Sequence, residues 1–458
     1  MASTQPPVSM SSSQHEATNL PRLVVAPNDD SEEWIRNLIH APITEVDADV
    51  TVEEACDLLL SRNVPCLAVK SSDPSPLSFY SALFDFADVN AFLTFAATRH
   101  TYTSEFIDQH PRIAQILDAA KAGRVPVSLV SNLSEKNPLV ELSHDANIID
   151  LLGAFSNGVH RVLVKAPEDA PGPSHLGIVT DTRLLSYFAT FARPSTPSGS
   201  APSSPISFSP TPLSSGARFS PVSPSIPSST TFQRYLGNTL QSLPLPSLNL
   251  YTDVIALRAR ADSVLDAMRM MSELGVSSVA VLDDETGSLL SAVSVTDIGR
   301  FVVPSQSNAV LHAPLQQLVA QIKLPDGWAD GADRFPVYSV LPSTTLSYTM
   351  QKLLTTGAHR VFVTGDLQTM SPPNPSSPTG ELIGVASIVD ILSLFAILAN
   401  VPNVDPTRMQ RHRRASSASS QGSESGAFVD LSRRGLLGNK GSVHLARSGS
   451  VWSSRPAT

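Results

Sequence analysis

Two short runs, Ser294-Val295-Thr296-Asp297 and Ser387-Ile388-Val389-Asp390, place a hydroxyl and a carboxylate one helical turn apart, each directly after an apolar, strand-like stretch. Where a strand end opens a helix, free N–H groups and the positive end of the helix dipole favour an anion. A hydroxyl there can bond a phosphate, and the carboxylate can accept two hydrogen bonds from a ribose diol. The same residue types cap helices in any protein, so the recurrence carries the signal rather than either run alone.

The elements that must position these groups form a repeat. Four amphipathic helices end at Asn63, Gly158, Gly275 and Gly357, residues suited to a left-handed closing turn. After them come Val64 to Val69, Val159 to Val164, Val276 to Val281 and Ala358 to Val363, which superpose without a gap. Each repeat then closes with a second strand running straight into another helix, at Tyr80 to Asp88, Leu176 to Arg183, Ser291 to Asp297 and Ile383 to Asp390. The repeats are expected at 40–97, 138–192, 246–304 and 335–400. Their first helices are predicted to begin with Val52, with Asp145 as cap, with Asp262 as cap, and with Ser343 or Thr344 as cap. A helix carrying Trp34, Ile35 and Leu38, with Glu32 and Glu33 in its first turn, should open the ordered part, and Ser104 to Ala122 reads as one linking helix.

The 458 residues include 37 prolines against 41% hydrophobic and 16% charged residues, so long irregular segments must alternate with a substantial core. Residues 1–30, the Pro/Ser-rich linker 194–230 and the basic, Ser-rich tail 403–458 are expected to be disordered, and Ser371 to Thr379 reads as a Pro/Ser loop inserted between the two strands of the fourth repeat. A net charge of −9 argues against general nucleic-acid binding, and only Cys56 and Cys66 are present, which fits a reducing compartment. No secretory signal is expected at the N-terminus. The longest apolar run, near Ile388 to Val401, is too short to span a bilayer, so no membrane partner is expected. No nucleophile elbow, phosphate-loop lysine or clustered metal-ligand spacing is present, so an enzyme is not expected.

The order strand, helix, strand, strand, helix, with the closing Gly-Val-x-Ser-x-x-Asp pattern of Gly384 to Asp390, resembles the cystathionine β-synthase (CBS) domain. Four tandem copies resemble the nucleotide-binding gamma subunit of AMP-activated protein kinase, and the low-complexity segments resemble the fungal SDS family of four-CBS proteins. The resemblance implies an α/β (α+β) fold in which four tandem CBS repeats form two CBS pairs in a flat disc. It implies that His160-Arg161 and His359-Arg360 face nucleotide phosphates, that Thr180, Ser294, Thr296 and Ser387 lie beside them, and that Asp88, Asp297 and Asp390 bind ribose. Ser277 and Ser278 fit positions contacting adenine or phosphate, though they would suit a tight strand equally well. Arg183 stands at the ribose position of the second repeat, Asp85 stands where the first should offer a hydroxyl, and Pro65-Cys66 lacks a basic neighbour. Nucleotide should therefore favour the clefts of the second, third and fourth repeats.

No cofactor is required by this reading; AMP, ADP or ATP is the expected ligand. The implied role is a non-catalytic regulator of a protein phosphatase catalytic subunit or kinase in cell-cycle, replication, cell-separation or nutrient and stress control. The discs are candidates for homodimer contacts. Ser204, Ser209, Ser220, Ser223 and Ser416 are candidate phosphorylation sites, and the basic clusters Arg411 to Arg414 and Arg433-Arg434 point to nucleus as well as cytoplasm. The competing reading is a ligand-free scaffold regulated through phosphorylation of its tails.

Overall fold

A computed structural model describes residues 35–75, 78–167, 173–192, 231–243, 254–303, 308–323, 339–365 and 382–408. The calls on residues 1–34, on the 194–230 linker, on the 371–379 loop, on the tail beyond 408 and on all five candidate phosphorylation sites lie outside the described residues.

Repeat 1 consists of β1 (Glu45–Val46), α1 (Val52–Arg62), β2 (Cys66–Ser75), β3 (Ser78–Asp85) and α2 (Phe86–Thr98). Two short helices, α3 (Ser104–Gln109) and α4 (Pro111–Lys121), follow in place of the single linking helix expected, because Pro111 starts a new helix at its first position. After α5 (Val127–Val130) comes repeat 2: β4 (Glu141–Leu142), α6 (Ile148–Phe155), β5 (Arg161–Lys165), β6 (His175–Thr180) and α7 (Asp181–Thr190). Helix α8 (Thr231–Leu236) precedes repeat 3: β7 (Ala256–Arg258), α9 (Val264–Leu274), β8 (Ser278–Leu282), β9 (Leu289–Ser294) and α10 (Val295–Phe301). Helix α11 (Leu315–Lys323) leads to repeat 4: β10 (Ser339–Val340), α12 (Leu346–Thr356), β11 (Arg360–Thr364), β12 (Leu382–Ser387) and α13 (Ile388–Leu398).

Each repeat makes a three-stranded sheet in chain order, its first pair parallel across the intervening helix and its second pair antiparallel. Asn63, Gly158, Gly275 and Gly357 all have positive φ, as the closing turns require. The caps of α6, α9 and α12 are Asn147, Ser263 and Thr345 rather than Asp145, Asp262 and Ser343 or Thr344. Asn147 and Ser263 win because each exchanges hydrogen bonds with an acid three residues on, Asp150 and Asp266. Asp262 instead accepts from the Arg258 backbone N–H at 2.7 Å.

Two kinds of packing arrange the repeats in a ring. Sheet faces join repeat 1 to repeat 2 through Ala68, Leu83, Leu163 and Ile178, and repeat 3 to repeat 4 through Ala280, Leu289 and Phe362. Helices join repeat 1 to repeat 3, where α2 lies on α9 and α10, and repeat 2 to repeat 4, where α13 lies on α6 and α7. This explains the longest apolar run: Ile388 to Ala396 are all buried, as a helix that is apolar on every side must be. Among the described residues no helix is long and apolar enough to cross a membrane. Helix α8, which the sequence reading missed, sends Phe232 against Phe188 and Phe395 in the core shared by repeats 2 and 4.

The α2–α10 crossing depends on one glycine. A Cβ at Gly299 would lie 2.0 Å from Cδ1 of the buried Phe86 ring. Alanine is favoured over glycine in a helix by about 1 kcal/mol, but forcing a methyl into a filled core costs about 1–3 kcal/mol. Gly299→Ala should therefore lower stability in urea denaturation, against its helix propensity; an unchanged or raised midpoint would show that Phe86 yields freely.

Candidate functional site

The sheet register brings equivalent positions together in every repeat. Cys66 faces Asp85, Arg161 faces Thr180, Ser278 faces Ser294, and Arg360 faces Ser387. The preceding residue passes its carbonyl to the first helical N–H: His160 to Asp181 at 3.1 Å, Ser277 to Val295 at 2.9 Å, and His359 to Ile388 at 3.0 Å. Every candidate side chain is thus fixed at a strand start or helix start.

The caps account for part of the chemistry expected of these residues. The Asp297 carboxylate accepts from the Ser294 N–H at 2.9 Å and its hydroxyl at 2.7 Å; Asp390 accepts from Ser387 at 2.8 Å and 2.6 Å. Thr180 accepts from the backbone of the exposed Arg183, and Thr296 sits half-buried in the first turn of α10. Capping uses one oxygen of each of these two carboxylates.

Repeat 1 departs from the expected pattern. Asp88 is fully buried: its Oδ1 accepts from the Ser134 N–H at 2.9 Å and its Oδ2 from the Asp85 N–H at 3.3 Å. Burial, with the Asp85 charge adding, pushes its carboxyl above the usual range. The irregular segment Ser131 to Asn137 therefore covers the oxygens expected to meet a ribose, and Asp88 is not brought to an open cleft. Asp85 is the N-cap of α2 and accepts Arg161 Nη1 at 2.8 Å, while Asn137 donates to the same oxygen. The other Arg161 nitrogen donates to the Pro65 carbonyl at 3.3 Å. Arg161, expected to face phosphate, is thus committed to a buried carboxylate.

Arg360 is in the opposite situation. Its Nη2 donates to the Ser277 hydroxyl at 2.7 Å, its Nε is buried without a partner, and among the described residues it pairs with no carboxylate. Burial lowers its pKa, with the Asp390 charge opposing. The Ser278 hydroxyl beside it is also buried and unpaired. Buried orphan donors are rare and call for a reason. Lys136, 8% exposed, adds a third group: its side chain has no ion pair among the described residues. Burial, reinforced by the Arg360 charge and opposed by Asp85, lowers it to about 7. Arg360 and Lys136 feel each other's charge, so two buried cationic groups lie near one another where an anion would compensate both.

Between repeats 2 and 4, His160 Nδ1 donates to Asp181 Oδ2 at 2.8 Å, and His359 Nδ1 lies 3.7 Å from the same oxygen. The two rings meet edge to face at 5.6 Å. Burial alone would raise the Asp181 pKa, but the hydrogen bond from His160 and the nearby His359 ring hold its carboxyl far below the usual range. Burial also lowers His160, against the pull of Asp181, so the neutral ring predominates near neutral pH.

Lys136, Asp181, Ser134 and Asn137 were not read from the sequence. Lys136 lies in a stretch with positive φ at Asn132 and Glu135 and without periodic pattern, and Asp181 is an acid at a helix start, where acids are ordinary. The one available signal for Lys136 was the lack of a basic residue at Pro65-Cys66, which left a role to be filled from elsewhere.

A family profile described as "CBS domain" matches residues 251–303, the third repeat. The chain is 29% identical over 334 residues to Protein sds23 of Aspergillus niger, covering 72% of this chain and 56% of that one. It is 27% identical over 337 residues to Protein SDS23 of Eremothecium gossypii, covering 72% and 59%. The chain thus spans little more than half the length of these relatives. Among solved structures, Protein MJ1225 from Methanocaldococcus jannaschii aligns with 79% of this chain and 99% of its own, at 11% identity and a TM-score of 0.49. The other three repeats share the element order, register and closing turn of the one that matches the CBS profile, and the chain as a whole is similar to the fungal SDS23 proteins.

Proposed function

We propose that this protein is a non-catalytic regulatory module that binds the phosphate of an adenine nucleotide at the centre of the ring and controls a protein phosphatase or kinase. The observation that carries the reading is Arg360: a buried guanidinium with an orphan Nε, beside the orphan Ser278 hydroxyl and the unpaired Lys136. A bound phosphate would compensate the two neighbouring charges and offer acceptors for the orphan donors. Ser294 with Asp297, and Ser387 with Asp390, offer the neighbouring hydroxyl and carboxylate positions for phosphate and ribose. His160 and His359 stand at the same centre. The phosphatase or kinase partner, the pairing of two discs and a cytoplasmic and nuclear location belong to the same proposal and rest on the likeness to the SDS23 proteins.

Isothermal titration with AMP, ADP and ATP tests the ligand. Wild-type protein should bind at least one of the three, and Arg360→Ala should weaken binding about 10-fold to 100-fold, the value of a charge-assisted hydrogen bond. No heat at millimolar nucleotide would sink the reading. The scaffold alternative is favoured by repeat 1, where Asp85 neutralises Arg161 and Ser134 covers Asp88. Under that alternative, replacing His359 and Arg360 together by alanine leaves partner binding and cell-cycle function unchanged.

A further inference from the structure

The cluster of His160, Asp181 and His359 bears on metal chemistry independently of any nucleotide. Its three candidate donor atoms, one ring nitrogen from each histidine and one carboxylate oxygen, lie within 4.8 Å of one another. Two imidazoles and a carboxylate suit zinc and its neighbours among divalent ions. Zinc bonds of about 2.0–2.1 Å in a tetrahedron put donor atoms about 3.3 Å apart. The observed separations from Asp181 Oδ2, 2.8 Å to His160 and 3.7 Å to His359, lie on either side of that value.

The surroundings hold the carboxylate in place. Asp181 is 0% exposed, and its other oxygen accepts the Thr182 N–H at 2.7 Å and hydroxyl at 3.3 Å, an outer shell that orients a ligating carboxylate. The backbone carbonyls of both histidines are bonded to the first N–H of the following helices, so each ring is carried on a fixed turn. The histidines occupy equivalent positions in repeats 2 and 4 and meet because α7 packs on α12 and α13. The opposing charges are Lys136, felt by His160, and Arg161, felt by Asp181; both reduce affinity for a cation.

We propose that His160, Asp181 and His359 form a divalent transition-metal site, with zinc the best-fitting ion, that clamps repeat 2 to repeat 4. Without metal, the Nδ1–H of His160 donates to the Asp181 carboxylate; with metal, each neutral ring carries its single proton on Nε2, so that both Nδ1 lone pairs are free for the ion, with water or an anion's oxygen in the fourth position.

The test uses the full chain, stripped with a chelator and free of nucleotide, so that it fails or succeeds separately from the phosphate reading. Zinc titrated calorimetrically should bind with one-to-one stoichiometry and raise the melting temperature. Cobalt(II) in its place should give the intense visible bands of a tetrahedral ion. His359→Ala removes a half-exposed side chain and should leave the fold intact by circular dichroism while weakening zinc binding at least about 10-fold. Asp181→Asn should do the same, and His110→Ala, a histidine on a separate helix start, should change nothing. No zinc uptake by the wild type, or uptake that survives His359→Ala undiminished, overturns the proposal.

Discussion

Lys136→Met should raise the melting temperature of the nucleotide-free protein and weaken AMP binding about 10-fold or more. The two effects have one cause. An ammonium held in a nearly closed site without a carboxylate partner costs stability, and its pKa records the cost: burial lowers it to about 7, against about 10.4 for an exposed lysine. The folded pKa lies below the unfolded one, so between those values the unfolded chain binds more protons and wild-type stability rises with pH. Below about 7 the penalty is present in full. Methionine fills similar space without charge, so its gain should be largest near pH 6 and fade toward pH 10. A tenfold change in proton affinity is worth about 1.4 kcal/mol, and solvent reaching the 8% exposed residue screens part of the penalty, so a gain of roughly 1–3 kcal/mol is expected. Binding moves the other way, because a phosphate loses a charge-assisted partner worth about 1.5–3 kcal/mol. Thermal melts across pH 6 to 10, with AMP titrations of both proteins, check the pair of effects. A variant that melts lower and binds AMP as before would show that Lys136 is a structural residue.

The two halves of that argument were unequally legible in the sequence. The repeat was readable because its signals are local: α1 runs over Val52–Arg62, as its apolar spacing and Asn63 require. Caps were less so. Ser143, Asp145 and Asn147 are all cap-forming types within five residues, and the choice fell to the residue with an acid three positions on. His160-Arg161 and His359-Arg360 were found because they occupy a repeat position, and the sheet register confirms that equivalence. What each arginine pairs with was not readable, because partners come from other repeats. Arg161 meets Asp85, 76 residues away, through the sheet contact of repeats 1 and 2, and Arg360 meets Ser277, 83 residues away, through that of repeats 3 and 4. Identical dipeptides therefore end in opposite electrostatic states, one neutralised and one unpaired.

That difference gives the second large expected effect. Arg161→Met should destabilise the protein by about 3–5 kcal/mol, because it leaves the Asp85 carboxylate buried without its counter-charge. Asp85→Ser keeps a capping hydroxyl at the start of α2 but strands the guanidinium, and should also destabilise. The double replacement removes both charges and should recover most of the loss, since a buried pair exchanged for uncharged groups is often close to neutral. A double-mutant cycle in urea measures this coupling, and simple addition of the two single losses would refute the pairing as the main role of either residue. Ligand binding separates the roles further. Asp85→Ser alone restores the hydroxyl that the other three repeats carry at this strand end and frees Arg161 for an anion. AMP affinity should therefore rise in the single variant while stability falls, and the gain should vanish when Arg161→Met is added. A rise that persists in the double variant would mean that removing the carboxylate's repulsion, rather than releasing the arginine, opens this side of the ring to phosphate.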